Sequence, residues 1–319
     1  MKKKACRVVG FLLILTMVML KVNDVVAFKY TDGVTQMEQF YRQEKGSVDV
    51  LVLGSSHAFV NVNPAMLDEE FGIWAYDLCG SMQPMWNTYY YFKEALKYQT
   101  PQLVVLDVYR LVEAFPYSKE SKIVKNTYGM KLSRNKYESI KESLAPEDME
   151  DVWLHMAEFP SYHSRYVDLT RADFDRSLVV DDDYRGAHPV TEVAAMVRPE
   201  VSHVTERMEI EPKTMEYFEK ILMLAAEYEI PVLLINAPYI VQEDDKKVFN
   251  TLEDYLETQK IYENVSYVDF NDAYDEMGID FATDFADYNH LNVNGLPKFN
   301  HALGTYIREN YSVTDHGKE

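Results

Sequence analysis

The sequence predicts an α/β fold in which helices cover both faces of a parallel β-sheet. Short apolar runs alternate with segments of helical periodicity, the pattern typical of a parallel sheet. The chain has 319 residues, 47% hydrophobic and 26% charged, enough to form a large core. One interval, 111–212, breaks the alternation because it holds no strand pattern.

Five strands are expected, and each is short, apolar and followed by turn residues. They are Val50–Leu53, Ile73–Leu78, Gln102–Asp107, Pro231–Asn236 and Val265–Phe270. The expected architecture is a three-layer α/β/α sandwich around a five-stranded parallel sheet.

Three helices are predicted between and after these strands. Pro84–Tyr98 starts with proline, a common first residue of a helix. Lys213–Glu229 places apolar residues at helical spacing, and the last helix is predicted from about Gly295 to Tyr311.

We interpret residues 111–212 as a mostly helical insertion after strand three that lies over the carboxyl ends of the strands. Within it, Pro146–Phe159 is predicted to form one amphipathic helix. The run Asp181–Asp183 would offer carboxylates to a cation. A solvated loop fits this run better, because the alternating ligands and glycine of a calcium loop are missing.

Residues 1–27 have the features of an export signal. Basic residues up to Arg7 precede the apolar run Val8–Leu20. The segment is either a signal peptide cleaved near Val25–Ala27 or a retained membrane anchor, and the anchor is favoured. Residues 28–319 then form one extracytoplasmic domain, because Lys and Arg stay on the cytoplasmic side.

The charge of the chain limits its partners. A net charge of −20 repels nucleic acid and other polyanions, so a neutral or cationic partner is expected unless a local basic patch exists. Cys6 lies in the export segment, which leaves Cys79 without a disulfide partner. An exported domain without disulfides suits a bacterial surface.

The first strand ends in Gly54-Ser55-Ser56-His57. Ligands of such sheets bind beyond the carboxyl ends of the strands. Glycine permits a sharp exit from the strand, and the serines then lie where backbone N–H groups are free. A serine hydroxyl becomes a nucleophile only with a base, and the base needs an acid to orient it.

Asp287 and His290, just before the last predicted helix, have the spacing that lets a carboxylate bond an imidazole of the same loop. His290 would accept the serine proton and Asp287 would fix the tautomer of His290. Each motif alone is weak, but together they favour a Ser-His-Asp site.

With Gly80 after strand two, these motifs resemble the SGNH/GDSL hydrolase superfamily. LVLGSSHA and the terminal D-x-N-H-L-N-x-x-G resemble its membrane-anchored bacterial branch, which includes the teichoic-acid D-alanylation protein and alginate-type polysaccharide acetylation proteins. The resemblance covers about Val48 to Asn310. It implies a flavodoxin-like fold with Ser56 as nucleophile.

The resemblance also implies an oxyanion hole made by the N–H groups of Ser56 and Gly80. The Asn that usually supplies a third donor after strand three is missing, since Asp107–Arg110 stands there. Asn236 is a candidate replacement, with a hydrogen bond to the following turn as its alternative role.

Three further residues are candidates for substrate binding, each with a structural alternative. His57 would line the cleft or pack at the turn. Arg165 and Tyr184, in the insertion, would contact sugar hydroxyls or serve the fold. No cofactor and no metal is expected.

Two functions compete. The first is a serine esterase or O-acyltransferase that modifies cell-surface polysaccharide through an acyl-enzyme. The family implies that a multispanning membrane acyltransferase delivers the acyl group. Transfer and hydrolysis share that intermediate, and the anchor favours transfer. The second is a non-catalytic glycan-binding or assembly module of the envelope.

Overall fold

The five predicted strands form one parallel sheet in the computed structural model, which describes residues 2–28, 32–175, 184–258 and 264–317. The strand order is β2-β1-β3-β4-β5, which is the flavodoxin-like order. All residues of the first four strands are buried, whereas those of β5, at one edge, are half-buried. The strands are β1 Val50–Leu53, β2 Ala75–Asp77, β3 Leu103–Asp107, β4 Val232–Asn236 and β5 Val265–Asp269.

Helices precede the sheet, cover both of its faces and fill the first half of the insertion. They are α1 Lys2–Val26, α2 Val34–Phe40, α3 Ser56–Asn61, α4 Pro64–Phe71, α5 Met85–Ala95, α6 Glu120–Thr127, α7 Arg134–Ser143, α8 Val152–Ala157, α9 Phe159–Tyr162, α10 Pro212–Glu227, α11 Glu243–Thr258, α12 Tyr274–Met277 and α13 Leu296–Asn310.

Two apolar layers hold the sheet between the helices. Successive residues of a strand point to opposite faces, so Leu51 packs with α5 and α10 while Val52 packs with α3, α4 and α13. This is the expected three-layer α/β/α arrangement. The predicted helices Pro84–Tyr98, Lys213–Glu229 and Gly295–Tyr311 are confirmed as α5, α10 and α13.

The predicted helix Pro146–Phe159 is wrong as a single element. A 3-10 segment, Pro146–Asp151, leads into α8, and the chain then breaks at Glu158, whose φ is +58°. The ammonium of Lys136 pairs with the Glu158 carboxylate and also donates to the carbonyl of Met130. A tertiary ion pair therefore holds the residue that interrupts the helix.

The prediction of a mostly helical insertion holds only for its first half. Between 184 and 211 the described chain contains no helix or strand. Its backbone instead bonds to other elements, since the His188 N–H donates to Phe59 O at 2.6 Å and the Ala194 N–H to Phe285 O at 2.9 Å. The second half of the insertion therefore lies against α3 and the loop before α13. The run Asp181–Asp183 falls outside the described residues.

The N-terminal helix α1 is long and apolar enough to cross a membrane over Lys4–Val26, a property that secretion signals share. Its last turn packs into the fold. The Tyr162 hydroxyl donates to Asn23 Oδ1 at 2.6 Å, and Val26 is only 5% exposed. The end of α1 is therefore part of the folded domain.

Candidate active site

Gly54 directs the chain out of β1 in a way that only glycine permits. Its φ is +148°, and a Cβ at this position would lie 2.9 Å from Asp107 Cβ and 3.3 Å from Ala58 Cβ. The helix α3 begins immediately afterwards, with Ser55 buried at its N-cap and Ser56 half-buried as its first residue. Ser56 therefore lies at the carboxyl edge of the sheet.

The backbone around Ser56 offers free donors. The first N–H groups of a helix have no acceptor within the helix. The Ser56 N–H forms no hydrogen bond with another residue of the described ranges. An oxyanion at this point would meet an unpaired donor.

Asp287 and His290 form the hydrogen bond that their spacing predicts. The Nδ1 atom of His290 lies 3.0 Å from both carboxylate oxygens of Asp287. Asp287 also accepts the Asn289 N–H at 2.7 Å. The ring of His290 is thus held from one side, and its buried Nε2 has no partner within the described chain.

The charge of the Asp287 carboxylate favours one tautomer of His290. Burial alone would raise the pKa of Asp287, but the hydrogen bonds from His290 and from the Asn289 N–H outweigh it and lower that pKa. An ionised Asp287 keeps the proton of a neutral His290 on Nδ1, which leaves the Nε2 lone pair available as a base.

The helix that begins with Ser56 also holds the His290 loop. Asn61, the last residue of α3, accepts the Leu291 N–H through Oδ1 at 2.9 Å. The loop closes on itself through a bridge between Phe285 and Leu291. One short helix therefore links the predicted nucleophile and base across more than 200 residues of sequence.

His57 brings His290 close to the start of α3. The ring of His57 stacks on Tyr109 with centroids 3.4 Å apart, and it meets the rings of Tyr239 at 4.9 Å and His290 at 5.6 Å. No hydrogen bond joins Ser56 Oγ to His290 Nε2 in this state. The predicted base thus lies against the residue that follows the predicted nucleophile, without a hydrogen bond to that nucleophile.

The structure places His57 as a packing residue, not in an open cleft. Its side chain is fully buried. Burial lowers its pKa well below the usual value, and the charges of His290 and Arg110 lower it further, while the nearby Asn289 side chain opposes them. A neutral, buried imidazole at this place supports the ring of His290.

Gly80 follows β2 at the position expected for the second oxyanion donor. Its N–H has no hydrogen-bond acceptor within the described chain. A Cβ on Gly80 would lie 2.3 Å from Asn126 Oδ1 and 3.3 Å from Gly33 Cα, so larger residues do not fit. Two remote segments, α6 and the start of α2, therefore close around this glycine.

Asn126 is a site residue that the sequence reasoning missed. Its amide is fully buried beside Gly80, with Nδ2 donating to Ser81 O at 3.3 Å and Oδ1 lacking a partner within the described chain. It belongs to α6, in the insertion, and no motif marks it. At the end of β4, both side-chain polar atoms of Asn236 are likewise buried without a partner among the described residues, and its role as an oxyanion donor stays a prediction.

Two buried carboxyls flank Gly54, and sequence reasoning missed them too. Asp77 ends β2 and Asp107 ends β3, and both pack on the α3 side of the sheet. Burial raises the pKa of Asp77 to about 8, with weak contacts from Cys79 opposing and Asp107 adding to the rise. The sequence signal that could have identified these two carboxyls is an acidic residue at the end of each of two buried strands.

Asp107 also fixes the loops around the site. Burial raises its pKa to about 7, while the N–H groups of Ala237 and Tyr109 oppose this. Those groups donate to its two oxygens at 3.4 and 3.2 Å. Asp107 therefore positions Tyr109, the residue on which His57 stacks.

The structure uses Arg165 for the fold and leaves the role of Tyr184 open. The guanidinium of Arg165 donates to the carbonyls of Val26 and Ala27 and pairs with Asp173, so it fastens the end of α1. Tyr184 is 39% exposed, and its carbonyl accepts the Ala187 N–H. Arg165 therefore has structural contacts, whereas a sugar contact by the exposed Tyr184 side chain stays a prediction.

A search of family models finds none that matches this chain, and a search of curated proteins finds no significant match. Within the described residues, no cluster of three or more His, Cys, Asp or Glu side chains is placed to hold a metal ion. The geometry supplies an oriented base, a hydroxyl and free N–H groups at one sheet edge, which is a set suited to acyl transfer.

Proposed function

We propose that this protein is a serine O-acyltransferase or esterase that modifies cell-surface polysaccharide through a Ser56-His290-Asp287 triad. The observation that carries the proposal is the His290–Asp287 pair, whose Nε2 has no partner in the described chain and whose loop is bonded to the last residue of the helix that Ser56 begins. The resemblance to SGNH hydrolases supports the same three roles.

The proposed reaction has two halves. In the first, Ser56 Oγ attacks the acyl carbonyl, its proton passes to His290 Nε2, and the oxyanion meets the N–H groups of Ser56 and Gly80. Collapse of the intermediate transfers that proton to the leaving group and leaves an acyl-serine. In the second half, a sugar hydroxyl or water attacks the acyl-serine carbonyl and His290 takes its proton. The intermediate then expels Ser56 Oγ, which receives that proton from His290, and the acylated sugar or the free acid leaves.

The docked end of α1 favours a retained anchor and an extracytoplasmic site near the membrane. Cleavage near Val25–Ala27 would remove the carbonyls that Arg165 binds and a buried residue, Val26. A domain held at the bilayer is suited to receive acyl groups from a multispanning membrane acyltransferase, so we propose transfer as the main activity.

The test uses the full chain in detergent micelles with p-nitrophenyl acetate and intact-mass detection. We expect one acetyl group on wild-type protein and a loss of turnover of about a thousandfold in Ser56→Ala and His290→Ala. Ser55→Ala, which removes the neighbouring buried hydroxyl, is the matched control and keeps the adduct.

Two outcomes would contradict the enzyme and favour a non-catalytic glycan-binding module. One is an adduct that persists in Ser56→Ala. The other is a folded wild-type protein that gains no acetyl group from the ester or from a membrane fraction that acetylates envelope glycans.

A further inference from the structure

A cavity of about 310 Å³ opens beside the candidate active site, between the loop after β2 and the segment after β3. One side is apolar, with Met82, Trp86, Phe115 and Tyr117 in its wall. Phe115 is 70% exposed, although aromatic side chains of this size are usually packed. The volume lies at the small end of ligand pockets and fits one sugar ring.

The other side of the cavity is cationic. Arg110, Lys119 and Lys122 line it, together with one carboxylate, that of Glu113. Arg110 is paired with Glu113, but neither lysine forms an ion pair with a described residue. Two uncompensated cations thus stand together on a chain whose net charge is −20.

These cations repel one another. Burial lowers the pKa of Lys122, and the charges of Lys125, Arg110 and Lys119 lower it further, against the opposing effect of Asp32. Lys125 has its own partner in Asp32 at 2.6 Å, so it does not need another anion. A bound anion would relieve the repulsion that remains around Lys122.

Residues that line the cavity are close in sequence to residues of the candidate site. Arg110 directly follows Tyr109, which stacks on His57, and the charge of Arg110 reaches His57. Met82 lies two residues after Gly80, and Lys122 is on α6, the helix that places Asn126 against Gly80. An occupant would therefore lie next to the proposed oxyanion hole.

We propose that this cavity binds a sugar residue that carries one carboxylate or phosphate group, and that it thereby selects an anionic sugar as the acyl acceptor. The binding follows from the cavity itself, and only the role as acceptor rests on the proposed function. Lys122, Lys119 and the free Nε of Arg110 hold the anion, while Phe115 and Tyr117 cover the apolar face of the ring.

The overall negative charge predicts a neutral or cationic partner, and the cavity reverses that expectation at one place. A long polyanion is repelled by most of the surface, whereas a single anionic residue at the end or branch of a glycan needs only this cavity. The proposal therefore predicts selectivity for isolated charges.

The test is isothermal titration of the full chain in detergent with glucuronate, glucose 6-phosphate, glucose and inorganic phosphate. We expect both anionic sugars to bind, with an affinity that falls as salt rises, and glucose to bind at least tenfold more weakly. Lys122→Gln should weaken glucuronate binding about tenfold. Lys45→Gln removes the same charge from an exposed, remote position and should change nothing.

Phe115→Ala tests the ring-binding wall. We expect it to weaken the binding of glucose 6-phosphate several-fold and to leave inorganic phosphate unaffected. Equal affinity for glucose and glucuronate, or unchanged binding in Lys122→Gln, would overturn the proposal. If inorganic phosphate bound as tightly as glucose 6-phosphate, the claim that the cavity recognises the sugar ring would be refuted.

Binding and chemistry are separated by Ser56→Ala. This variant should bind glucuronate as the wild type does, whatever the protein catalyses. If glucuronate binds but Ser56 is never acylated, the proposed function fails and the anion site stands. If Ser56 is acylated but anionic sugars do not bind, the anion site fails and the proposed function stands.

Discussion

The parallel sheet and the insertion between β3 and β4 are held together by different interactions. Residues of β1, β3 and β4 are buried on both faces, so their stability comes from apolar burial spread over many side chains. In its described part, the insertion has two small apolar clusters and relies in addition on single polar links, such as Lys136 with Glu158 and Arg165 with the end of α1. We infer that a point change in the sheet affects the whole molecule, and one in the insertion acts locally.

The largest effect is expected from Gly54→Ala at the end of β1. The new Cβ would contact Asp107 at 2.9 Å in a backbone conformation that alanine avoids, so we expect a loss of about 3 to 4 kcal/mol in the free energy of unfolding. Urea denaturation measures it. Gly278→Ala is the control, because its φ is also positive but no atom lies within 4 Å, and it should cost about 1 kcal/mol. Equal costs would show that crowding at Gly54 does not matter.

The next effect is a pH dependence set by Asp77. Its pKa is about 8 in the folded chain and near its ordinary low value when unfolded, so between pH 4 and 8 only the folded state keeps the proton. Folding then takes up a proton, and stability falls as pH rises through this window, by up to about 1.4 kcal/mol per pH unit.

Asp77→Asn should flatten that slope, and thermal melts from pH 5 to pH 8 measure it. Relative to wild type, the variant should gain stability as pH increases. Asp148→Asn removes a carboxylate from an exposed position in the insertion and serves as the control. If the melting temperatures of wild type and Asp77→Asn changed with pH in the same way, the prediction would be contradicted.

The smallest effect is expected in the insertion. Arg165→Ala leaves the carbonyls of Val26 and Ala27 and the buried Asp173 carboxylate without the guanidinium, a local cost of about 2 kcal/mol. Hydrogen exchange should speed up in 159–175 and at the end of α1 while the sheet amides stay protected. Arg171→Ala, at an exposed neighbouring position, should leave exchange unchanged. Faster exchange throughout β1 and β3 would refute the local character of the insertion.

The sequence predicted the sheet well because local patterns carry the information. Mostly apolar runs of four to six residues were followed by turn residues, and the strands occur there within a few residues. The pairing of Asp287 with His290 was equally local, since they lie three positions apart. The prediction that Ser56 is the nucleophile and that Gly80 serves the oxyanion remains to be tested.

The sequence reasoning failed where remote segments meet. Nothing near Asn126 in the chain indicates that it lies against Gly80, and Arg165 looks like a surface residue until the end of α1 is placed beside it. The break at Glu158 has the same origin, because the Lys136 ion pair is a tertiary contact that overrides helical periodicity.

The hydrogen bond from the Leu291 N–H to Asn61 lets the length of α3 set a distance within the candidate active site. Six residues of helix, about 9 Å, set the spacing between Ser56 and the loop of His290. The loop has further polar contacts, since Tyr288 O accepts the Ile240 N–H at 2.8 Å and Asn292 Nδ2 donates to Phe285 O at 3.0 Å. Under the proposed function, gentle heating that loosens these few contacts while both apolar layers stay packed should abolish the acylation of Ser56 before the chain unfolds.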